Sequence, residues 1–170
     1  MTYLSDEYKP YIVLMRIRSL LIAGVPLVLA ACGLSAVDQP GPLIDCSTLA
    51  TTLAASAATL TTTPSGLQYR DVTVGTGATF ATGATVSVRY AGCMTSGLRF
   101  DSNEAPGRLF SFKLGAGQVI KGWDEGLVGL KVGGRRQLVI PPSLAYGAVQ
   151  NGPIPPNSTL VFTIDAISTP

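Results

Sequence analysis

The chain has 170 residues, 46% of them apolar and 13% charged, and a formal net charge of +2. That length suits one domain with accessories, and so sparse and even a charge excludes nucleic acid as the main partner, which would demand clustered Lys and Arg. Histidine is absent, which removes the usual general base near neutral pH and the commonest zinc ligand; with the carboxylates and cysteines in no metal-ligating spacing, neither metal nor cofactor is expected.

Residues 1–14, MTYLSDEYKPYIVL, precede the stretch MRIRSLLIAGVPLVLAACG that begins at Met15. Arg16 and Arg18 lead into an apolar run over residues 19–31. The run is shorter than the ~20 residues of a spanning helix but matches the apolar segment of a signal peptide. It ends Leu29-Ala30-Ala31-Cys32-Gly33, which resembles the lipobox of bacterial lipoproteins. That resemblance implies acylation of Cys32 and removal of residues 1–31. Residues 1–14 sit awkwardly before such a signal, so a true start at Met15 is expected, the alternative being a long charged region ahead of the apolar run. Gly33 supplies no aspartate retention signal, so the expected place is the cell envelope, lipid-anchored, on the outer membrane facing the periplasm where the cell has one. Acyl chains contribute ~0.8 kcal/mol per buried CH₂, so several anchor firmly.

Residues 32–64 read as a lipidated start and an Ala/Thr-rich stalk. Leu49, Leu53 and Leu60 lie roughly in helical step, and Pro64 closes the segment. After removal of the leader, Cys46 and Cys93 form an even pair besides Cys32. In an oxidising compartment they permit a disulfide; the alternative is two separate buried thiols.

From Ser65 to the end the pattern is that of one globular domain. Residues 67–74, 85–90, 108–114, 136–140 and 159–167 alternate as strands with glycine punctuation. Gly75 and Gly77 make a turn and not a phosphate loop, because no Gly-Lys-Ser/Thr and no long helix follows. Arg135-Arg136 reads as a solvated strand edge. Between the third and fourth strands, Trp123-Asp124-Glu125-Gly126-Leu127 reads as a short helix; Asp124 and Glu125 suit a helix N-terminus, and the glycines keep it brief. The expected class is α+β, an antiparallel sheet of about five strands around one helix. Trp123, the single tryptophan, either fills the core or floors a pocket.

Four stretches, VRYAG (88–92), LRFDSN (98–103), LFSFKLGAGQVIKGWDEGLVGLKVGGRRQLVIPPSLAYG (109–147) and IPPNSTLVF (154–162), resemble FKBP-type peptidyl-prolyl cis-trans isomerases in order and nearly in spacing. The resemblance covers residues 66–167. It implies a strongly bent antiparallel sheet half-wrapped around the helix, with an apolar pocket between them. By the same resemblance Trp123 is the pocket floor and Tyr90, Phe110, Val119, Ile120 and Phe162 are its walls. Phe100 and Ile154 line its rim, and Asp101 and Tyr146 are the polar groups that face a bound peptide. The Ile120 N–H and the Tyr146 hydroxyl would donate to ligand carbonyls, and Gly122 would turn the chain so that Ile120 and Trp123 share one cavity.

The sequence departs from the family at Gln118, where some members carry Glu, and in a slightly shorter loop over residues 148–154, which would overhang the pocket. The implied function is isomerisation of X–Pro bonds in exported proteins by a monomer. Its implied ligands are proline-containing polypeptides and rapamycin-type macrolides. The alternative in the same family is a proline-peptide binding module with negligible turnover on a membrane anchor.

Overall fold

The computed structural model describes Cys46 and residues 59–103 and 108–170; Cys32, the expected signal segment and nearly all of the expected stalk lie outside the described residues. Stretches rich in Val, Thr, Ile and aromatic residues form extended chain, since such side chains pack well on a pleated surface. Seven strands appear among the described residues: β1 (Thr61–Thr62), β2 (Gln68–Thr73), β3 (Thr85–Met94), β4 (Arg99–Ser102), β5 (Phe110–Lys113), β6 (Arg135–Ile140) and β7 (Leu160–Ser168). One helix, α1 (Lys121–Gly126), separates β5 from β6. The five strands expected from alternation all form. The two others, β1 and β4, are short and lack apolar alternation; pairing with a longer neighbour creates them.

The strands make one antiparallel sheet in the order β1-β2-β6-β7-β3-β4, with β5 also on β3. One edge of β3 is therefore shared. Its first half pairs with β5 (Val88↔Phe110) and its second half with β4 (Ala91↔Ser102). Asn103 fills the gap between the two ladders. Its Oδ1 accepts from the Tyr90 N–H at 2.7 Å, its Nδ2 donates to the Val88 carbonyl at 3.1 Å, and its own N–H donates to the Tyr90 carbonyl at 3.1 Å.

Strand β7 is buried on both faces. Leu160, Phe162 and Ile164 enter the main core with Val86, Phe112, Leu127, Leu138 and Trp123. Val161, on the opposite face, packs with Cys46, Cys93 and Val139. The sulfurs of Cys46 and Cys93 are bonded, with Cα atoms 5.7 Å apart, so the chain ahead of the domain is tied to β3.

Helix α1 sits hard against β6. A Cβ at Gly122 would lie 2.5 Å from the Ile140 Cγ2, and one at Gly126 would lie 2.8 Å from the Leu138 Cδ2. Gly122 thus permits close packing and does not turn the chain, which corrects the expectation for it. Asp124 stands in the first turn of α1, as expected, and the helix has no side-chain cap. Asp124 also accepts from the N–H groups of Gly115 and Gly117 at 2.8 and 2.9 Å, and Glu125 accepts from the Ser65 hydroxyl at 2.8 Å. The carboxylates tether loops to the helix.

Arg135 and Arg136 are not a solvated edge. Strand β6 lies inside the sheet between β2 and β7. Arg135 pairs with the buried Asp165, Nε to Oδ1 at 2.6 Å and Nη2 to Oδ2 at 2.9 Å. Arg136, 6% exposed, pairs with both carboxylate oxygens of Asp71 at 2.6 and 3.0 Å and donates through Nη1 to the carbonyls of Gly126 and Val128 at 2.9 and 3.1 Å. Its guanidinium also lies over the Tyr69 ring, 4.9 Å from the centroid. It therefore holds the end of α1 to β2 and β6. Arg136→Met keeps the apolar stem but strands two carbonyls and a carboxylate; we expect a loss of about 3 kcal/mol in urea unfolding. A loss within the ordinary surface range of about 0.5 kcal/mol would show that the guanidinium carries no such tie.

Candidate functional site

The inner face of the bent sheet and the start of α1 enclose a hollow of about 180 Å³. Trp123, 4% exposed, is its floor, placed there because α1 begins at Lys121 and its backbone rests on Ile140. The indole meets Tyr90 and Phe162 edge-to-face, with centroids 5.0 and 5.1 Å apart. Phe110 stands 6.1 Å away, and Phe112 supports the indole from the core at 5.7 Å. Such edge-to-face pairs contribute roughly 0.5–1.5 kcal/mol each beyond burial and fix ring orientation.

Phe100 leans edge-on against Phe162 at 5.5 Å. Gly92 makes room for both rings, since a Cβ there would come within 2.7 Å of Phe162 and 2.8 Å of Phe100. Val119, Ile120, Gln118, Asp101 and Tyr146 complete the lining. Tyr146 is carried by a tight turn after β6, in which the N–H groups of Ala145 and Gly147 both donate to the Pro142 carbonyl, at 3.0 and 2.9 Å.

The polar groups of the hollow are few and oriented. The Tyr90 hydroxyl donates to the Asp101 Oδ2 at 2.7 Å. Burial, then this hydrogen bond and the Asp101 charge, push the Tyr90 phenol well above its ordinary value of 10.0. Burial, then the Asp101 charge, raises Tyr146 in the same direction. Both hydroxyls are consequently protonated donors across the physiological range. Ile120 has an extended conformation (φ −60°, ψ 148°) just before α1, and its N–H has no partner among the described residues. No cluster of His, Cys, Asp and Glu able to hold a metal occurs among the described residues.

Residues 77–167 match the family model described as FKBP-type peptidyl-prolyl cis-trans isomerase. The chain belongs to that family. FK506-binding protein 1 of Dictyostelium discoideum is 47% identical over 104 residues, 61% of this chain and 97% of that protein. FK506-binding protein 4 of the same organism is 48% identical over 109 residues, 63% of this chain but 29% of its own length. The chain thus spans under a third of that longer relative. Among solved structures, AtFKBP13 superposes with a TM-score of 0.61 at 37% identity, over 65% of this chain and 98% of that one. FkpA from Escherichia coli gives 0.61 at 38%, over 74% and 59%.

Within this FKBP domain, Tyr90, Phe100, Asp101, Phe110, Val119, Ile120, Trp123, Tyr146 and Phe162 all line the hollow. Ile154 does not. It is 4% exposed and belongs to the core, its backbone paired both ways with Asn151 at 2.9 and 3.0 Å. The expected rim position is corrected accordingly, and no residue of 148–154 lines the hollow. Gln118, met in the sequence as a departure at the rim, is a lining residue. Two contributors were not legible there: Asn103 as the plug that sets Tyr90, and Phe112 as the support beneath the indole. Only their presence inside the family motifs pointed to them.

Proposed function

We propose that the chain catalyses cis-trans isomerisation of X–Pro peptide bonds in exported polypeptides. The aromatic hollow above Trp123 carries this reading. Its volume of about 180 Å³ lies below the roughly 300–1,000 Å³ of pockets that enclose drug-sized ligands, so it suits one ring with the rest of the ligand outside. Twisting a peptide bond faces ~18–20 kcal/mol because amide resonance is lost. At X–Pro both isomers lie within about 1 kcal/mol of each other, and no bond needs to break.

A catalyst has only to bind the twisted amide better than the planar one. The twisted carbonyl is less polar, so an apolar, water-poor wall disfavours it less than water does. The proline ring rests on Trp123 between Tyr90, Phe110 and Phe162 while the carbonyl side swings. The Ile120 N–H and the Tyr146 hydroxyl hold flanking carbonyls. Asp101 serves chiefly as a positioning residue, its carboxylate oxygen already engaged by Tyr90. The names of the relatives support a further assignment, that FK506-type macrolides occupy the same hollow and compete with peptide, and the family resemblance extends it to rapamycin-type macrolides.

The lipid anchor and an extracytoplasmic place are part of the proposal. They rest on residues 15–33 and agree with the bonded pair Cys46–Cys93, since disulfides persist in oxidising compartments. A monomer on its tether is the simplest form. Mass spectrometry of the membrane fraction is expected to find acyl chains on Cys32 and no residues 1–31; a soluble protein that retains the leader would end this part of the reading.

The activity is read by isomerisation of an X–Pro peptide coupled to a trans-specific protease. Trp123→Leu and Phe162→Leu keep the core apolar and are expected to lower kcat/KM by about a hundredfold, equivalent to ~2.7 kcal/mol of transition-state binding. Asp101→Asn, whose amide oxygen still accepts from Tyr90, is expected to stay within about threefold, and the wild-type rate to be level from pH 6 to 9. A folded wild-type chain that leaves the peptide at its solvent rate would refute the reading and favour a binding module.

A further inference from the structure

Gln118 lines the hollow, and its side chain has a fixed orientation. The Lys113 N–H donates to its Oε1 at 2.8 Å. Because an N–H requires an acceptor, this bond settles which end of the amide is which. The Nε2 must take the other position, and it has no partner among the described residues. The loop that carries Gln118 is fixed from its other side as well, where Asp124 accepts from the Gly115 and Gly117 N–H groups at 2.8 and 2.9 Å. The result is an amide donor held on a tethered loop at the mouth of the hollow, two residues before the Ile120 N–H.

We propose that Gln118 is a specificity-determining residue that donates its Nε2–H to a backbone carbonyl of the bound polypeptide outside the X–Pro unit. This inference rests on the isomerase reading of the same hollow. A chain advances at most ~3.3–3.6 Å per residue, and an extended peptide turns same-side carbonyls outward every second residue. A donor displaced by two residues from Ile120 therefore meets a carbonyl beyond the one that Ile120 takes. It reads the presence of a continuing chain and not the proline itself, so it favours polypeptide segments over isolated X–Pro units.

Gln118→Glu is the clean test, because a carboxylate oxygen still accepts from the Lys113 N–H while the donor becomes an acceptor. Two peptides are titrated against Trp123 fluorescence: a blocked X–Pro core, and the same core extended by two residues at each end. The variant is expected to melt with the wild type and to lose less affinity for the core than for the extended peptide. Its Kd for the extended peptide is expected to rise about fivefold, the worth of one neutral hydrogen bond. Equal affinity of variant and wild type for the extended peptide would overturn the proposal. So would a parallel loss on both peptides, which would mark a disturbed loop. Because the readout is binding, a chain that binds peptides without turning them over would still decide this point and would fail only the catalytic assay. A wild type that binds neither peptide overturns both readings together.

Discussion

The close approach of α1 to β6 is the constraint on which the site depends. Two glycines, Gly122 and Gly126, bring helix backbone against the side chains of Ile140 and Leu138. Each weakens the helix by roughly 1 kcal/mol relative to alanine, yet a methyl group at either place would collide with β6. The cost in helix propensity is offset by an indole at the floor of the hollow, within ring contact of Tyr90, Phe110, Phe112 and Phe162. A helix one methyl group further out would lift Trp123 away from those rings and fill the space now left for a ligand.

The surrounding structure holds that geometry from several sides. Arg136 ties the end of α1 to β2 through Asp71. Asp124 draws the Gly115–Gly117 loop against the helix, and Asn103 bridges the break in the β3 edge beside Tyr90. On the opposite face of the sheet the Cys46–Cys93 bond covers Val161. Polar groups that would elsewhere suggest acid–base chemistry here secure loops and strands. What remains inside the hollow is apolar except for a few donors, an arrangement suited to a reaction in which no proton has to move.

Much of this was legible in the residues, and the exceptions have physical reasons. Period-two alternation located β2, β3, β5, β6 and β7, and the run around Trp123 located α1. Alternation could not show that β6 is an interior strand, because that depends on β2 and β7 lying on either side of it; Arg135 and Arg136 consequently looked like surface charge. The RFDS stretch of β4 has no apolar rhythm and becomes a strand only through β3. Ile154 lies in a proline-rich loop that also holds the exposed Val149, and its inward turn goes with the Asn151 pairing, which no local pattern announces. Of the glycines of α1, Gly122 was read as a turn and Gly126 for its weak propensity, whereas their meaning lies in the partner across the interface. The nine residues that do meet at the hollow come from six separate segments of chain, and only the family motifs drew them together.

The central claim is that an ordered apolar hollow lowers the barrier to amide rotation without proton transfer. Magnetisation-exchange NMR on an X–Pro peptide with a catalytic amount of the protein, run in H₂O and in D₂O, tests it most directly. The account predicts faster cis-trans interconversion than in the free peptide, at nearly the same rate in both solvents. A rate clearly slower in D₂O, after correction for viscosity, would mean that a proton moves in the limiting step and would contradict it.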